Sequence, residues 1–425
     1  MDFSTGVDQD AVLRARTMLL GSGRLTARQK VAAYRVLAEV SPLSYLPKLS
    51  EALIAHGYDE EFRDRPQERL ALHEEAAVAA RRIAPAEPGR TKALLDALGA
   101  YEHGLYSAGR RTEGLAVCEE MAAAGRLGFE LGQVPSPVYG HTRLAVVLAE
   151  EGRHREAAEI CEGFVRGSGS DGDDDVSFWS TVAWVAELEA AGLRDAALDA
   201  LVPLLDFLRR RLDEDHTSLA IVTWTLVRHS QMLDEGGRPA EAAEARREAL
   251  TLLAELDLTG ERQSWSNIQT WWTTLYLLSG RALEPSGAPG APAPPYGRHV
   301  MHWSPDVSRA YAAELPGLEA EVAALTEAAA AEPGRHLPAL VAAHRRLTVR
   351  AALRWERRTH RILKPLRPLF AEGVTLARRL AALPGAQRGE EALGRALADR
   401  SMFLLAALQY GEAYDDFREA VALLD

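Results

Sequence analysis

The sequence predicts an all-α protein built from stacked helix pairs, and three observations point to this fold class. The helix-forming residues Ala, Leu, Arg and Glu dominate the composition. Residues 139–166 hold two short amphipathic helices that meet at Gly152, where a left-handed backbone can end a helix. The pattern recurs along the chain, and because neither helix can bury its apolar side alone, each unit needs neighbours.

The repeat has a regular spacing. Five glycines stand at its equivalent point, 40 to 45 residues apart: Gly109, Gly152, Gly192, Gly237 and Gly280. An apolar or aromatic residue stands four positions before each glycine: Leu105, Leu148, Leu188, Leu233 and Tyr276. A small residue, as close helix crossing requires, stands five positions after the first four: Gly114, Ala157, Ala197 and Ala242. Periods of this length indicate stacked helical repeats.

This pattern resembles the tetratricopeptide repeat (TPR) family over roughly residues 91–283. The spacing exceeds the usual ~34 residues and is similar to that of the longer-repeat branch found in kinesin light chains and bacterial sensor proteins. The resemblance implies a right-handed α-α superhelix, a TPR-like solenoid, whose concave face is lined by the first helix of each pair. In such repeats the concave face is the usual binding surface for a peptide or protein segment.

Composition divides the chain into three parts. Residues 1–283 are predicted to form a TPR-like array that opens with two less regular helix pairs before Arg90. Residues 284–300 are rich in Pro, Gly and Ala and cannot continue a helix, so they predict a flexible or extended connector, either a hinge or a loop. Residues 301–425 return to helical patterns and are expected to continue the array.

The composition favours a cytoplasmic protein without a membrane partner. No stretch approaches the ~20 apolar residues of a membrane span, and the first ten residues lack the hydrophobic run of a signal peptide. Cys118 and Cys161 occupy equivalent positions of the repeat. We therefore expect both to be buried as small apolar residues, which fits a reducing compartment.

No motif predicts catalysis or a cofactor. The chain has no phosphate-binding Gly-x-x-x-x-Gly-Lys loop, no Gly-x-Ser-x-Gly elbow and no His-Glu-x-x-His pair. The acidic loop at 168–175 departs from a calcium-binding loop at Val176 and Val182, so it predicts a solvated linker in preference to a metal site or a terpene-cyclase-like acid motif. Neither an enzyme activity nor a bound metal is therefore expected.

A basic stretch stands out in a chain whose formal net charge is −12. Four arginines step by four residues along one helix face: Arg346, Arg350, Arg354 and Arg358. Like charges at this spacing need compensation. Either they bind an acidic segment or another anionic partner, or they pair with acidic neighbours such as Glu319, Glu321 and Glu327. The acidic total argues against general nucleic-acid binding.

The resemblance also places candidate binding residues on the concave face. The register of the family puts aromatic, amide and hydroxyl side chains there: Tyr139, Trp179, Trp224, Asn267, Thr142, Thr270, His103 and Gln231. Rings supply contact area and polar groups fix a peptide backbone, so the set suits an extended peptide. The alternative is that Trp179 and Trp224 pack between neighbouring helices.

Three functions are compatible with this sequence. The first is a cytoplasmic scaffold or adaptor that binds a peptide or protein segment in its concave groove. The second is a regulatory sensor whose groove binds a small molecule or a signal peptide, and the third is an enzyme built on a helical toroid. A closed apolar pocket would favour the sensor, whereas a long open groove of mixed polarity would favour the adaptor.

Overall fold

The computed structural model describes residues 8–21, 24–167, 174–214, 216–263, 268–355, 362–384 and 387–425. The regular secondary structure in these ranges is helical, with no β-strand, which confirms the predicted all-α class. None of the helices in the described ranges is both long enough and apolar enough to cross a membrane. Residues 168–173 of the predicted acidic linker lie outside these ranges.

Contacts between residues group the chain into two units. Unit 1 comprises Met1–Leu148 together with Ser304–Asp306, and unit 2 comprises Ala149–Trp303 and Val307–Asp425. The division into 1–283, 284–300 and 301–425 made from the composition stays a prediction. Each unit is described by itself below.

The helices that begin in unit 1's first segment include the two pairs expected before Arg90. Their bounds are α1 (Gln9–Leu20), α2 (Ala27–Val40), α3 (Pro42–Gly57), α4 (Pro66–Arg81), α5 (Arg90–Ser107), α6 (Arg111–Glu130) and α7 (Thr142–Glu150). A capping box starts α2, because Gln29 N donates to Thr26 Oγ1 at 3.2 Å and Thr26 N donates to Gln29 Oε1 at 2.9 Å. Four α-helices, α1 to α4, precede Arg90, which agrees with the two helix pairs expected there.

Most of the later helices share one large apolar core in unit 2. The bounds of the later helices are α8 (His154–Gly167), α9 (Asp174–Ala190), α10 (Arg194–Asp213), α11 (Leu219–Glu235), α12 (Pro239–Thr259), α13 (Ile268–Gly280), α14 (Pro305–Ala313), α15 (Leu315–Ala331), α16 (Pro333–Trp355), α17 (Leu363–Ala381), α18 (Gln387–Ala406) and α19 (Tyr410–Leu424). Helix α15 packs with α16 and α17 in a smaller apolar cluster. Helix α13 packs against α11, α16 and α18, and α12 packs against α19. Buried Arg246 on α12 donates to Asp425 Oδ1 at 2.7 Å and to Asp234 Oδ2 at 2.6 Å.

The turn inside a helix pair has the same backbone structure in four copies. The left-handed glycines have φ values of 72°, 75°, 76° and 73°: Gly109, Gly152, Gly192 and Gly237. After Gly109, Arg110 N donates to Leu105 O at 2.9 Å, and the same bond follows Gly192 and Gly237. This bond satisfies a carbonyl that the helix end would otherwise leave unpaired, and the left-handed conformation favours glycine.

Two positions depart from the predicted repeat. Gly280 has a φ of −87° and ends α13, so its assignment as a fifth turn glycine is wrong. The same turn occurs instead between α18 and α19, where Leu408 has a φ of 60° and Gln409 N donates to Leu404 O at 2.9 Å. A leucine in this conformation costs about 1–2 kcal/mol. A strained leucine therefore replaces glycine in this copy.

Small residues lie where the two helices of a pair cross, as predicted. Three alanines at this position are fully buried: Ala157, Ala197 and Ala242. In the fourth copy, a Cβ on Gly114 would lie 2.7 Å from ring atoms of Tyr106, so the larger neighbour requires glycine. Cys118 and Cys161 are also fully buried and form no disulfide, which confirms their prediction as small core residues.

Arginine–glutamate pairs join the second helices of consecutive pairs. Arg35 on α2 donates to both oxygens of Glu75 on α4 at 2.7 and 2.6 Å. Arg81 on α4 contacts Glu120 on α6 in the same way, at 2.8 and 2.6 Å. These side chains are about half exposed, so each pair contributes less than about 1 kcal/mol. The sequence separations of the two ion pairs are nevertheless similar, at 40 and 39 residues.

Candidate functional site

The two predicted groove tryptophans lie in the apolar core of unit 2. Trp224 is 3% exposed, and its indole Nε1 donates to Met402 O at 3.2 Å. Trp179 is half-buried and contacts Trp271 edge-on, with ring centroids 4.9 Å apart. Trp224 is therefore a core residue rather than an exposed groove residue, and the alternative of packing between helices describes it correctly.

The other groove residues predicted in unit 2 offer little open surface. Gln231 is half-buried and lines a cavity of about 30 Å³ together with Trp224 and Asp399. Thr270 is half-buried near the start of α13, and Asn267 lies outside the described residues. Helices α13 and α18 pack against α11 on the side of Trp224.

The Pro/Gly/Ala-rich connector covers the corresponding side of α9. Ala293 N donates to Glu150 O at 3.0 Å. A Cβ on Gly297 would lie 2.4 Å from the Cβ of Ala186, so the connector backbone rests directly on α9. Just before the connector, Arg281 donates to Ala186 O at 2.6 Å. Ala186 stands six residues before its turn glycine, as the predicted groove residues His103 and Gln231 do before theirs, and here the chain's own backbone covers that position.

Of the predicted groove residues that the structure describes, three are exposed, and these lie in unit 1. They are His103 on α5, Tyr139 in the loop before α7, and Thr142 at the start of α7. Tyr139 is 38% exposed. The structure therefore keeps the predicted binding residues of unit 1 accessible to solvent.

The four arginines of the basic stretch do not form one exposed stripe. Arg350 is 5% exposed, Arg346 is half-buried, and Arg354 is exposed. Arg358 lies outside the described residues. A buried guanidinium cannot meet a partner at the surface, so Arg350 does not belong to a surface patch.

Glu284, the first residue of the connector, neutralises Arg350. Its carboxylate accepts from Arg350 Nε at 2.7 Å and Nη2 at 2.6 Å, and from Arg346 Nε at 2.8 Å. The guanidinium of Arg350 also lies 4.1 Å from the ring centroid of Tyr311. Burial opposes its charge, but the hydrogen bonds with Glu284 prevail and raise the pKa of Arg350. Internal pairing of Arg350 is thus confirmed, whereas the sequence named Glu319, Glu321 and Glu327 as partners instead.

A larger cavity lies among four helices of unit 2. It measures about 260 Å³ and is bounded by α13, α16, α17 and α18. Most of the wall is apolar and includes Pro338, Val341, Leu369, Phe370 and Ala396. The exposed residues Ala342 and Arg395 also line it, so the cavity communicates with solvent on their side.

The ion pair between Arg345 and Asp399 forms one polar corner of this cavity. Arg345 Nε donates to Asp399 Oδ2 at 2.6 Å, and its Nη1 and Nη2 donate to Ser279 O at 3.1 Å and Ser279 Oγ at 2.9 Å. Burial raises the pKa of the neighbouring Tyr276 phenol well above its usual range, so this group stays neutral. The corner therefore holds charges that already balance each other.

His344 forms a second polar position of the cavity, beside Glu372. The side chain is 2% exposed, and Nε2 lies 3.4 Å from Glu372 Oε2. Among the described residues neither ring nitrogen has a hydrogen-bond partner. Burial lowers the pKa of His344, while Glu372 acts in the opposite direction. Leaving a buried polar atom without a hydrogen-bond partner costs about 1–3 kcal/mol. A ligand that forms a hydrogen bond with Nδ1 of His344 is therefore favoured.

Glycine at position 373 places no side chain against the ring edge of His344. A Cβ on Gly373 would lie 3.5 Å from His344 Nδ1 and 3.6 Å from Cε1, at ordinary contact distance. Both residues line the cavity. The absence of a side chain at position 373 therefore leaves no side-chain contact against Nδ1 from this residue of α17.

Sequence reasoning missed His344 and Arg345, although they adjoin Arg346 of the predicted stripe. A signal existed, because both polar residues interrupt the apolar run of α16 and predict a buried polar site. Their partners Ser279, Asp399 and Glu372 lie on other helices and could not be assigned from spacing.

A second group of ionisable side chains lies in unit 1. His56 Nδ1 is 2.9 Å from Asp59 Oδ2 and 3.9 Å from Glu61 Oε1, and both carboxylates are exposed. The hydrogen bond between His56 and Asp59 accounts for the arrangement. We therefore assign it no ligand.

A scan of protein-family models found no match to this chain, and a search of curated proteins found none either. The functional proposals therefore rest on the geometry of the two units.

Proposed function

We propose that this protein is a helical-repeat sensor that binds a small molecule in the unit 2 cavity and performs no catalysis. The cavity of about 260 Å³ carries the proposal, because four helices supply its walls and a few polar groups converge on it. Concave, mainly apolar sites with a small number of placed polar groups are typical of small-molecule binding.

The sensor fits unit 2 better than the adaptor does. An adaptor needs a long groove along the first helices of the pairs. In unit 2, Trp224 is buried against α18, and the connector rests on Ala186 of α9. Extended peptides would have to displace these contacts, whereas a small molecule would not.

We infer in addition that the helix pairs form a TPR-like right-handed superhelix. Support comes from the turn that recurs at four glycines and at Leu408, and from the fully buried alanines at the helix crossings. A cytoplasmic location is part of the same proposal, since neither Cys118 nor Cys161 forms a disulfide, which suits a reducing compartment.

To test the sensor function, a larger side chain on α17 is introduced to fill the cavity. We would purify the wild-type protein and the Gly373→Leu variant from the source organism, denature both in organic solvent and compare the extracts by mass spectrometry. Gly317→Leu is the matched control, because it adds the same side chain to a helix where a Cβ meets nothing within 4 Å.

We expect a small molecule that accompanies the wild-type and Gly317→Leu proteins and is absent from folded Gly373→Leu. Identical extracts from all three proteins would contradict the proposal. Circular dichroism establishes that each variant retains its helices.

Peptide or protein binding by unit 1 is the second candidate function. It is supported by the exposure of His103, Tyr139 and Thr142, which the family register places on the concave face. Affinity capture from extracts of the source organism should lose its partner with Tyr139→Ala and keep it with Tyr58→Ala. Tyr58 is a suitable control because it is 59% exposed elsewhere in unit 1. Equal capture by both variants would contradict this candidate.

A further inference from the structure

The chemistry of the unit 2 cavity specifies its ligand more closely. We infer that the cavity takes an uncharged, mainly apolar molecule about as large as a substituted benzene ring, which donates one hydrogen bond to His344 Nδ1. This inference rests on the proposed function, since it names the ligand class of the same cavity.

The volume sets the size of the ligand. An apolar protein cavity of about 150 Å³ binds benzene. The cavity between α13, α16, α17 and α18 measures about 260 Å³, so it has room for a benzene ring with short substituents. The apolar side chains Val341, Leu369 and Phe370 line it and suit contact with such a ring.

The direction of the hydrogen bond follows from the surroundings of His344. Because burial lowers the pKa of His344, the ring is neutral near pH 7 and carries one proton. The carboxylate of Glu372, 3.4 Å from Nε2, favours that proton on Nε2. Nδ1 then presents a lone pair, and Gly373 places no side chain against it. The complementary ligand group is a hydroxyl or an N–H.

The charge balance of the wall excludes an ionic head group from the interior. Arg345 donates its hydrogen bonds to Asp399 and Ser279, so it offers no unpaired positive charge to a buried anion. Arg395 also lines the cavity, but it is exposed and remains hydrated. Burying a charge without a partner is unfavourable. A neutral molecule therefore fits the wall better than a carboxylate.

Three probes of similar shape separate these requirements. We would titrate the full-length protein calorimetrically with 4-ethylphenol, which carries a hydroxyl, with 4-ethyltoluene, which replaces it by a methyl group, and with 4-ethylbenzoate, which carries a charge. We expect 4-ethylphenol to bind about tenfold more tightly than 4-ethyltoluene, because only the phenol satisfies the buried nitrogen. The benzoate should bind most weakly.

Two variants assign the preference to His344. His344→Phe keeps a ring of similar shape without a nitrogen, and we expect it to bind the phenol and the toluene equally. Gly373→Ala places a methyl group 3.5 Å from Nδ1 and should reduce the preference for the phenol, while alanine favours the helix. His216→Phe and Gly317→Ala are controls at exposed positions of unit 2 and should leave the tenfold ratio unchanged.

The outcomes distinguish this inference from the proposed function. The wild-type protein could bind the phenol and the toluene with equal affinity, while Gly373→Leu binds neither. This result would support the cavity as a binding site and would overturn the proposed hydrogen bond to His344. Tightest binding of 4-ethylbenzoate would overturn the inference in favour of an anion held by Arg345 or Arg395. No binding of any probe to the wild-type protein would overturn the inference and count against the proposed function. If His344→Phe fails to fold, the Gly373→Ala ratio decides alone.

Discussion

Replacing Glu284 by glutamine tests the buried ion pair that joins the connector to α16. The change keeps the size of the side chain and removes the charge that Arg350 and Arg346 share. The carboxylate of Glu284 is 2% exposed and the guanidinium of Arg350 is 3% exposed, so neither group can turn to water without local unfolding.

The expected loss follows from this burial. Removing one partner of a buried ion pair costs about 3–5 kcal/mol, because the other charge stays buried and uncompensated. Glu314 remains 2.9 Å from Arg350 Nη2, but it is 61% exposed and compensates only in part. We therefore expect Glu284→Gln to lower the free energy of unfolding of unit 2 by about 3 kcal/mol.

Tryptophan fluorescence during urea unfolding measures unit 2 selectively. All eight tryptophans of the chain fall between positions 179 and 355, within the ranges of unit 2. A double-mutant cycle with Arg350→Met then isolates the interaction. Since the two side chains are in contact, we expect the double variant to lose about 2 kcal/mol less than the sum of the single losses.

Glu319→Gln is the matched control for this measurement. Glu319 is one of the partners that the sequence suggested, and it is exposed on α15. We expect its replacement to change the free energy of unfolding by less than about 0.5 kcal/mol. A loss below about 1 kcal/mol in Glu284→Gln, or strict additivity in the cycle, would refute the buried pair and return Arg350 to an exposed basic stripe.

Further predictions concern the turns and the packing of the repeat. Leu408→Gly should stabilise unit 2 by about 0.5–1 kcal/mol, because relief of the left-handed leucine exceeds the added entropy of the unfolded chain. Gly237→Ala should destabilise unit 2 by about 1 kcal/mol. Tryptophan fluorescence during urea unfolding measures both changes, and free-energy changes of the same sign in the two variants would contradict the shared turn geometry. Leu105→Ala should lower the stability of unit 1 by about 2–5 kcal/mol, since Leu105 is fully buried. Hydrogen exchange of the α5 amides measures the loss, and unchanged protection of these amides would contradict the packing. Breaking the exposed pair between Arg81 and Glu120 with Arg81→Ala should cost less than about 1 kcal/mol by the same exchange measurement, and a larger loss would show that these pairs dominate repeat stacking.

The sequence predicted the local parts of the fold because local chemistry determines them. Glycine marks the turns at Gly109 and Gly237 because few other residues adopt a left-handed backbone there. The same rule failed twice. Leu408 adopts that conformation without any sequence signal, and Gly280 ends a helix without adopting it.

The candidate site was less predictable because distant segments build it. Arg345 on α16 meets Asp399 on α18 and Ser279 on α13, and no local spacing relates these positions. Trp224 illustrates the same limit of sequence prediction. The spacing of the repeat identifies the face of α11 that carries Trp224, but it does not identify the helix that covers this face. The neighbouring polar residues His344 and Arg345 were visible in the sequence, yet their shared cavity was not.

Unit 1 is discontinuous in sequence, and this affects when it can be completed during synthesis. Asp306 belongs to unit 1 and accepts a bond from Arg111 at 3.0 Å, although 195 residues separate them. Ribosomes add about 5–20 residues per second, so Ser304–Asp306 emerges on the order of ten seconds or more after Leu148. During that interval the nascent unit 1 lacks its last segment. Arg111 on α6 is then hydrated, because Asp306 has not yet been synthesised. Assembly of the N-terminal helices therefore finishes only after most of unit 2 has left the ribosome.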